Sequence, residues 1–286
     1  MIQYLYLGRV AYDEALRLQA EIAALRLDGH VGNVLLLLEH PPVLTLGRNA
    51  RRSNVLASDE LLTSRGVTLH EINRGGDVTY HGPGQLVGYP IFDLRSLQNP
   101  GGSRLGPVDF VRMMEEALIR LCSVYGVRAG RIAGLTGVWC GLHDSPMPSS
   151  ECLPPAGGRK IGAIGIHVSR GITSHGFAFN ITTDLREFQL INPCGITDRP
   201  VTSLEREIPD TVTLPDLESI AHEGARQFGH VFSQQVLAME SLDALRAQAH
   251  LAPEKVPPQG LGQDTPLQVP REVERLHDPS DRPVRA

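Results

Sequence analysis

One cysteine of this chain has the sequence setting of a nucleophile. Cys194 stands between Pro193 and Gly195, downstream of a glycine-rich stretch that contains Lys160. A thiolate is the reactive form of cysteine, and a lysine ammonium beside it favours that form at neutral pH. Sequence spacing alone does not show whether the two side chains meet, and a cysteine in such a turn is also compatible with a small buried apolar residue. Cys194 and Lys160 are therefore the candidate catalytic pair.

The other three cysteines do not form a metal-binding or redox pattern. Cys122 falls at an apolar position of a helical pattern, Cys140 ends an apolar run, and Cys152 lies in a segment rich in proline and serine. None has a partner at Cys-x-x-Cys spacing, and no histidine pair stands at metal-ligand spacing beside them, so no metal site is predicted. With 4 cysteines in 286 residues, no secretory signal pattern and no long apolar run, we expect a cytoplasmic protein that does not enter a membrane.

The densest glycine pattern lies between Arg74 and Gln85. Two glycines follow Arg74, and a Gly-Pro-Gly bend follows His81, so that two tight turns enclose a short predicted strand. Such turns would form the wall of a narrow slot, although they are also compatible with an ordinary hairpin. The pattern is not a nucleotide phosphate loop. His81 could act in catalysis, but a hydrogen-bonded structural histidine is the simpler interpretation.

Strand and helix signals alternate along the chain and predict an α+β fold. Apolar residues at spacings of three and four predict helices over 11–28 and 107–126, and a later helix that includes 217–228. A short helix is predicted over 58–66, and Ser169 to Gly171 is predicted to form a hairpin turn. Mixed strands and helices with hairpins favour α+β over a doubly wound parallel sheet. The predicted strands are 33–39, 43–46, 67–72, 78–80, 85–92, 137–140, 160–168 and 172–181.

Composition and the distribution of proline and serine predict one folded domain with a loop insertion and a C-terminal extension. The chain is 41% hydrophobic, and its net charge of −5 gives no electrostatic footprint for nucleic acid. The segment 141–158 is rich in proline and serine and reads as a loop insertion. We expect a catalytic domain over 1–235 that includes this insertion, and a C-terminal extension over 236–286 that is largely disordered after 252.

Four segments in order resemble the signature of the lipoyl(octanoyl) transferases. They are Arg74-Gly75-Gly76-x-x-Thr79-x-His81-Gly82-Pro83-Gly84-Gln85, Lys160-Ile161-Gly162-Ala163-x-Gly165, His175-Gly176-x-Ala178-x-Asn180 and Asn192-Pro193-Cys194-Gly195. The resemblance covers roughly residues 3–235 and excludes the tail. It implies the α+β fold of biotin and lipoate protein ligases, in which a mixed sheet flanked by helices forms an acyl-chain tunnel.

The same resemblance implies a reaction and a set of site residues. An octanoyl group would pass from octanoyl-acyl carrier protein to a lysine of lipoyl domains, with Cys194 as the acylated nucleophile and Lys160 lowering its pKa. The acceptors would be lipoyl domains of 2-oxoacid dehydrogenase E2 subunits and the glycine cleavage H protein, and neither a cofactor nor ATP is expected. The implied substrate-binding residues are Arg74, Gly75, Gly76, Asp77, Val78, Thr79, Tyr80, His81, Ala163, Ile164, Gly165, Gly176, Phe177 and Ala178.

Two other functions stay open at this point. An ATP-dependent lipoate- or biotin-protein ligase of the same fold would use the matching lysine to bind an acyl-adenylate and would not need Cys194. A lipoyl-domain binding protein without catalytic activity is disfavoured because Cys194 and Lys160 are both present. A cluster formed by Arg48, Arg51 and Arg52 could receive an acidic carrier protein, or could be a solvated loop with scattered charge.

Overall fold

A computed structural model describes residues 1–98, 102–142, 158–192 and 199–251 of the chain. These residues form mixed strands and helices, which confirms the predicted α+β class. The helices are α1 (Tyr12–Asp28), α2 (Asp59–Ser64), α3 (Pro107–Val124), α4 (Leu204–Glu207), α5 (Leu217–Phe232) and α6 (Leu242–Leu251). The strands are β1 (Ile2–Arg9), β2 (Asn33–Glu39), β3 (Val43–Leu46), β4 (Thr68–Glu71), β5 (Val78–His81), β6 (Gln85–Ile91), β7 (Ala129–Ile132), β8 (Leu135–Cys140), β9 (Arg159–Ser169), β10 (Ile172–Asn180) and β11 (Val236–Ala238).

Eight strands form the main sheet in the order β11-β1-β2-β6-β10-β9-β8-β7. The strand pairs β11/β1 and β1/β2 are parallel, and the remaining neighbours are antiparallel. A second sheet has three strands in the order β4-β3-β5, in which β3 is parallel to β4 and antiparallel to β5. The two glycine turns predicted from the sequence therefore enclose a strand of the small sheet, and the motif that begins at Lys160 lies on a central strand of the large sheet.

Apolar layers cover both faces of the main sheet. Leu35 and Leu37 of β2 face one core, which contains the buried sides of α3 and α5. Leu36 and Leu38 face the opposite core, which contains α1 and residues of α6. A strand that is buried on both faces needs a continuous apolar run, and this explains why the 33–39 segment lacks the alternation of a half-exposed strand.

Several local predictions match the structure closely. Helix α1 ends at Gly29 in the left-handed conformation, with φ of 81°, as a C-terminal glycine favours. Ser58 caps α2, because its hydroxyl accepts a hydrogen bond from the amide of Leu61. Arg170 and Gly171 connect β9 to β10 with φ values of 50° and 84°, as a two-residue hairpin turn requires.

The packed body extends past residue 235. Strand β11 pairs in parallel with β1, and α6 buries Leu245 and Ala249 in the same core as α1. Neither element was predicted, because a three-residue edge strand and a helix with two core contacts leave a weak apolar pattern. The predicted insertion falls mostly on residues 143–157 and the predicted disordered tail on 252–286, and both lie outside the described residues. No helix in the described part is long and apolar enough to cross a membrane.

Candidate functional site

A cavity of about 100 Å³ lies where the small sheet meets the main sheet. Lys160 and every predicted substrate-binding residue except Tyr80 line it. The further lining residues include other members of the four sequence motifs and residues that the sequence did not single out, among them a tyrosine of α1, an aromatic residue of β8 and Val87 of β6. These further lining residues are Tyr12, Gln85, Val87, Tyr89, Trp139, Ile161, Gly162, His175, Asn180, Phe188, Arg199 and Val201.

Tyr80 faces a different cluster from its neighbours in the glycine segment. Its ring is almost completely buried and packs edge-on against Phe188, with 5.6 Å between ring centroids. A side chain at Gly82 would collide with the Tyr80 ring, since a Cβ there would lie 2.1 Å from the phenol oxygen. Tyr80 therefore supports the bend of the predicted segment from behind, and the structure does not bring its side chain into the cavity.

A buried hydrogen-bond network fixes His81 at the cavity wall. The guanidinium of Arg74 donates to the carbonyl and hydroxyl oxygens of Thr45, at 2.7 and 2.9 Å. The amide nitrogen of Gln85 donates to Asn180 Oδ1, which leaves Gln85 Oε1 to accept from Nδ1 of His81 at 2.8 Å. Burial lowers the pKa of His81 to about 3, so the imidazole is neutral. Its other nitrogen faces the Thr45 hydroxyl at 3.4 Å.

Two further buried histidines lie close to this network. His40 donates from Nδ1 to the carbonyl of Val10 at 2.7 Å, and Nε2 accepts from the hydroxyl of Tyr89 at 2.7 Å. His175 donates from Nε2 to Asn73 Oδ1 at 2.7 Å. Burial lowers the pKa of both imidazoles to about 4. The two imidazoles that line the cavity, those of His81 and His175, are therefore neutral.

The glycines of the motifs allow two backbones to approach each other. The amide of Gly75 donates to the carbonyl of Ile166 on β9 at 2.9 Å. A Cβ at Gly165 would lie 2.5 Å from the carbonyl oxygen of Gly75, closer than real contacts allow. Gly165 thus makes room for the neighbouring turn, whereas Ala163 and Ala178 contribute small side chains to the cavity lining.

Lys160 reaches the cavity from β9 and is held on both sides by backbone hydrogen bonds. Its amide donates to the carbonyl of Pro200, and its carbonyl accepts from Thr202, each at 2.9 Å. Its Nζ lies over the ring of Trp139, 5.0 Å from the centroid. This contact could not be predicted, because Trp139 and Lys160 meet only through the pairing of β8 with β9.

Cys194 belongs to residues 193–198 and lies outside the described residues. The chain on both sides of this segment is described. Asn192 donates from its amide to the carbonyl of Asn54 at 2.7 Å. Arg199 lines the cavity and lies 5.8 Å from the centroid of the Trp139 ring. The same arginine and Asn192 line a second, more open cavity that adjoins the first. The described chain thus leaves at the second cavity and re-enters beside the Trp139 ring, over which Lys160 also lies.

Two cysteines belong to the described residues. Cys122 of α3 and Cys140 of β8 are completely buried in the core. A hydrogen bond with Cys140 and burial raise the pKa of the Cys122 thiol, which keeps it protonated. This burial agrees with their positions in the sequence, one in the apolar pattern of a helix and the other at the end of an apolar run. No cluster of three or more metal-ligating side chains occurs among the described residues.

The predicted basic cluster lies on a loop beside the cavity. Arg48, Arg51 and Arg52 are exposed. The amide of Arg48 donates to the carbonyl of Arg74 at 3.0 Å, which ties this loop to the segment that lines the cavity. Arg52 forms an ion pair with Asp59 at the start of α2. The cluster thus lies on a loop that is hydrogen-bonded to the segment that lines the cavity.

Comparison with known proteins identifies similar sequences. Residues 11–225 match the family described as the lipoyl protein ligase A/B catalytic domain. An octanoyltransferase of Acidobacterium capsulatum is 59% identical over 242 residues, which cover 84% of this chain and 94% of that protein. An octanoyltransferase of Koribacter versatilis is 48% identical over 278 residues, covering 97% of this chain and 98% of the relative.

Solved structures with little sequence similarity share the fold. The bipartite lipoate protein ligase of Thermoplasma acidophilum aligns with a TM-score of 0.63 and 16% identity, over 87% of this chain and 91% of that structure. Lipoate-protein ligase A bound with ATP aligns with a TM-score of 0.60 and 17% identity, over 87% of this chain and 93% of the other. At such identities the likeness extends to the fold alone, and the predicted biotin and lipoate ligase architecture is confirmed.

Proposed function

The chain belongs to the lipoyl protein ligase A/B catalytic domain family, and we propose that it transfers octanoyl from octanoyl-acyl carrier protein to a specific lysine of lipoyl domains. Its curated relatives over most of its length are octanoyltransferases, so it is an acyltransferase of lipoate biosynthesis and protein lipoylation. The proposed acceptors are the lipoyl domains of 2-oxoacid dehydrogenase E2 subunits and the glycine cleavage H protein. The proposed intermediate is an octanoyl thioester on Cys194.

The observation that carries this proposal is the cavity that ends at Lys160. Its lining runs along β9 from Lys160 to Gly165 and along β10 from Asn180 to His175, so its long direction follows the strands. The six residues from Lys160 to Gly165 span roughly 17 Å along the strand. An extended acyl chain in this direction would place its methyl end away from Lys160 and its carbonyl end beside it. Each buried methylene contributes about 0.8 kcal/mol to binding.

Chain connectivity supports the proposed nucleophile. Consecutive Cα atoms lie about 3.8 Å apart, so the Cα of Cys194 is at most roughly 7.6 Å from that of Asn192. Asn192 lines the cavity that adjoins the acyl pocket. We therefore expect the thiol to act at the carbonyl end of the acyl chain, which is the end of the pocket that Lys160 lines.

The proposed reaction has two balanced halves. In the first, the Cys194 thiolate attacks the carbonyl carbon of the donor thioester, the bond to the carrier sulfur breaks, and the Lys160 ammonium donates a proton to that sulfur. In the second, the amine of the acceptor lysine attacks the enzyme thioester, the Cys194 thiolate leaves, and the neutral Lys160 amine takes the proton released by the attacking amine. An amide is more stable than a thioester, so no ATP is needed.

Transfer with and without ATP tests this proposal against an ATP-dependent ligase. Purified protein is incubated with octanoyl-acyl carrier protein and a lipoyl domain, and octanoylation of the lipoyl domain is measured by intact mass. We expect the same rate with and without ATP, and loss of transfer in Lys160→Ala. Free octanoate plus ATP should not replace the carrier thioester. Transfer that needs ATP, or that proceeds from free octanoate, would assign the chain to the ligases instead.

A further inference from the structure

We infer that Trp139 is a positioning residue for the Lys160 ammonium, an inference that rests on the role proposed above for Lys160. The indole is 1% exposed, and the lysine Nζ lies 5.0 Å above the centroid of its ring. Both residues line the acyl cavity. An aromatic face attracts the charged ammonium through its quadrupole and does not attract the neutral amine in the same way, and tryptophan is the strongest partner for this contact.

A β-bulge in the pairing of β8 with β9 creates this contact. Ile161 is the extra residue on β9, and beyond it Lys160 lies directly opposite Trp139. In the register that the two strands keep on the other side of the bulge, Lys160 would lie opposite Cys140, which is completely buried in the core. Residues paired across an antiparallel ladder share a face, so the bulge turns the lysine from the core face to the cavity face.

The backbone of β8 leaves a passage for the lysine stem. Gly137 has a φ of 127°, and a Cβ there would lie 2.6 Å from Lys160 Cε and 2.5 Å from the carbonyl oxygen of Gly162. Its amide donates at 2.9 Å to the carboxylate of Glu115, which is completely buried on α3. Two arginines contact the same carboxylate. The lysine stem thus lies against Gly137, whose amide is held by Glu115 of α3, and the charged end of the lysine lies over the indole.

The consequence concerns the charge beside the nucleophile. An aromatic face favours the protonated form of the lysine in the resting enzyme, and an ammonium held over it samples fewer positions than one on a free four-carbon stem. Loss of the ring should therefore weaken the electrostatic support of the Cys194 thiolate without removing the lysine. Replacement by leucine should slow transfer roughly tenfold, and replacement by phenylalanine, which keeps an aromatic face, should cost less.

Fluorescence tests the contact itself, because Trp139 is the only tryptophan of the chain. Emission is titrated from about pH 6 to about pH 11 in the wild type and in Lys160→Met. Tyrosine ionisation affects both proteins, so the difference between the two curves reports the lysine. We expect an alkaline transition in the wild type that Lys160→Met lacks. Identical curves would show that the ammonium does not lie on the indole, and would overturn the inference.

Thiol reactivity tests the functional consequence and separates the two proposals. The rate of iodoacetamide alkylation of Cys194 is followed against pH on its peptide, in Lys160→Met, Trp139→Phe and Trp139→Leu. Phe92→Leu is the matched control, because Phe92 is fully buried in the core and does not line the cavity. We expect the pH midpoint of alkylation to be higher in Lys160→Met and Trp139→Leu than in the wild type. It should return toward the wild-type value in Trp139→Phe and stay unchanged in the control.

The pattern of shifts distinguishes failure of this inference from failure of the proposed function. A shift in Lys160→Met without one in Trp139→Leu overturns the positioning role and leaves the role of Lys160 intact. No shift in either variant refutes the role of Lys160 itself, and this inference with it. If Trp139→Leu does not fold, the fluorescence titration and the comparison of Trp139→Phe with the wild type still decide the question. An alkylation profile of Trp139→Phe identical to that of Lys160→Met would show that an aromatic ring at this position does not support the lysine.

Discussion

Lowering the pH from about 7.5 to about 5 is expected to destabilise the protein through three buried histidines. His81 and His175 line the acyl cavity, His40 packs against His81, and burial lowers the pKa values of His40, His81 and His175 to about 4, 3 and 4. The ordinary value is about 6.5. Because the folded-state pKa of each group is depressed, the unfolded chain binds protons that the folded chain does not. The contribution of these groups to the free energy of unfolding is therefore fully present above about pH 6.5 and decreases as the pH drops toward about 4. Below about pH 3 it does not change further.

The magnitude follows from the separation of the pKa values. One unit of pH corresponds to about 1.4 kcal/mol for each proton taken up on unfolding. About pH 5 is about 1.5 units below the pKa of a histidine in the unfolded chain. At this pH each histidine lowers the free energy of unfolding by about 2 kcal/mol, and the three together lower it by about 6 kcal/mol. This loss is comparable to the whole free energy of unfolding of many domains, about 5–15 kcal/mol. We therefore expect a clearly lower free energy of unfolding at about pH 5 than at about pH 7.5.

Urea unfolding at the two pH values measures this loss. His81→Gln replaces one imidazole by a neutral amide, so the difference in unfolding free energy between about pH 7.5 and about pH 5 should shrink by about 2 kcal/mol, or a third. His230→Gln is the control, because His230 is exposed at the end of α5. Equal stability at the two pH values, or an unchanged pH difference in His81→Gln, would refute the assignment of these histidines as neutral in the folded state.

Two further predictions concern the acyl chain and its carrier. Ala178→Leu should reduce transfer of octanoyl more than transfer of shorter acyl groups. Its three added carbons take the space of about three methylenes of the acyl chain, which contribute about 2.4 kcal/mol to binding, so the rate should fall about 50-fold. Equal loss for all chain lengths would indicate general overpacking. Leucine at Gly165 does not test this point, because the Cβ alone meets backbone. Arg51→Glu combined with Arg52→Glu should weaken transfer from octanoyl-acyl carrier protein and flatten its salt dependence, and leave transfer from a small octanoyl thioester unchanged. If transfer from both donors falls equally, the arginines do not dock the carrier. Asp59→Ala is the control for loss of the Arg52 ion pair.

Elements with a strong local pattern could be predicted from the sequence. Helix α1 has its apolar spacing and a terminal glycine in the left-handed conformation, and β2 has an uninterrupted apolar run. The glycine segments that approach each other across the cavity were recognised through their order in the chain. In these cases the signal lies within a few residues and reflects the local backbone.

Features that depend on distant contacts could not be predicted. The bulge at Ile161 is visible only once β8 and β9 are paired, and it decides which face Lys160 occupies. The neutral state of His81 depends on burial under residues from other strands. Tyr80 shares a motif with cavity residues but packs against Phe188 from a later segment. No composition or periodicity encodes these pairings, because each arises from the register between segments far apart in sequence.

The most direct test of the account is the mass of the protein after incubation with octanoyl-acyl carrier protein in the absence of an acceptor. We expect one octanoyl group to be added at Cys194, to be released by hydroxylamine, and to pass to a lipoyl domain when that acceptor is supplied. Cys194→Ala should remain unacylated and inactive, whereas Cys152→Ser should behave as the wild type. An octanoyl adduct that persists in Cys194→Ala, or transfer by that variant at the wild-type rate, would contradict the proposed thioester mechanism.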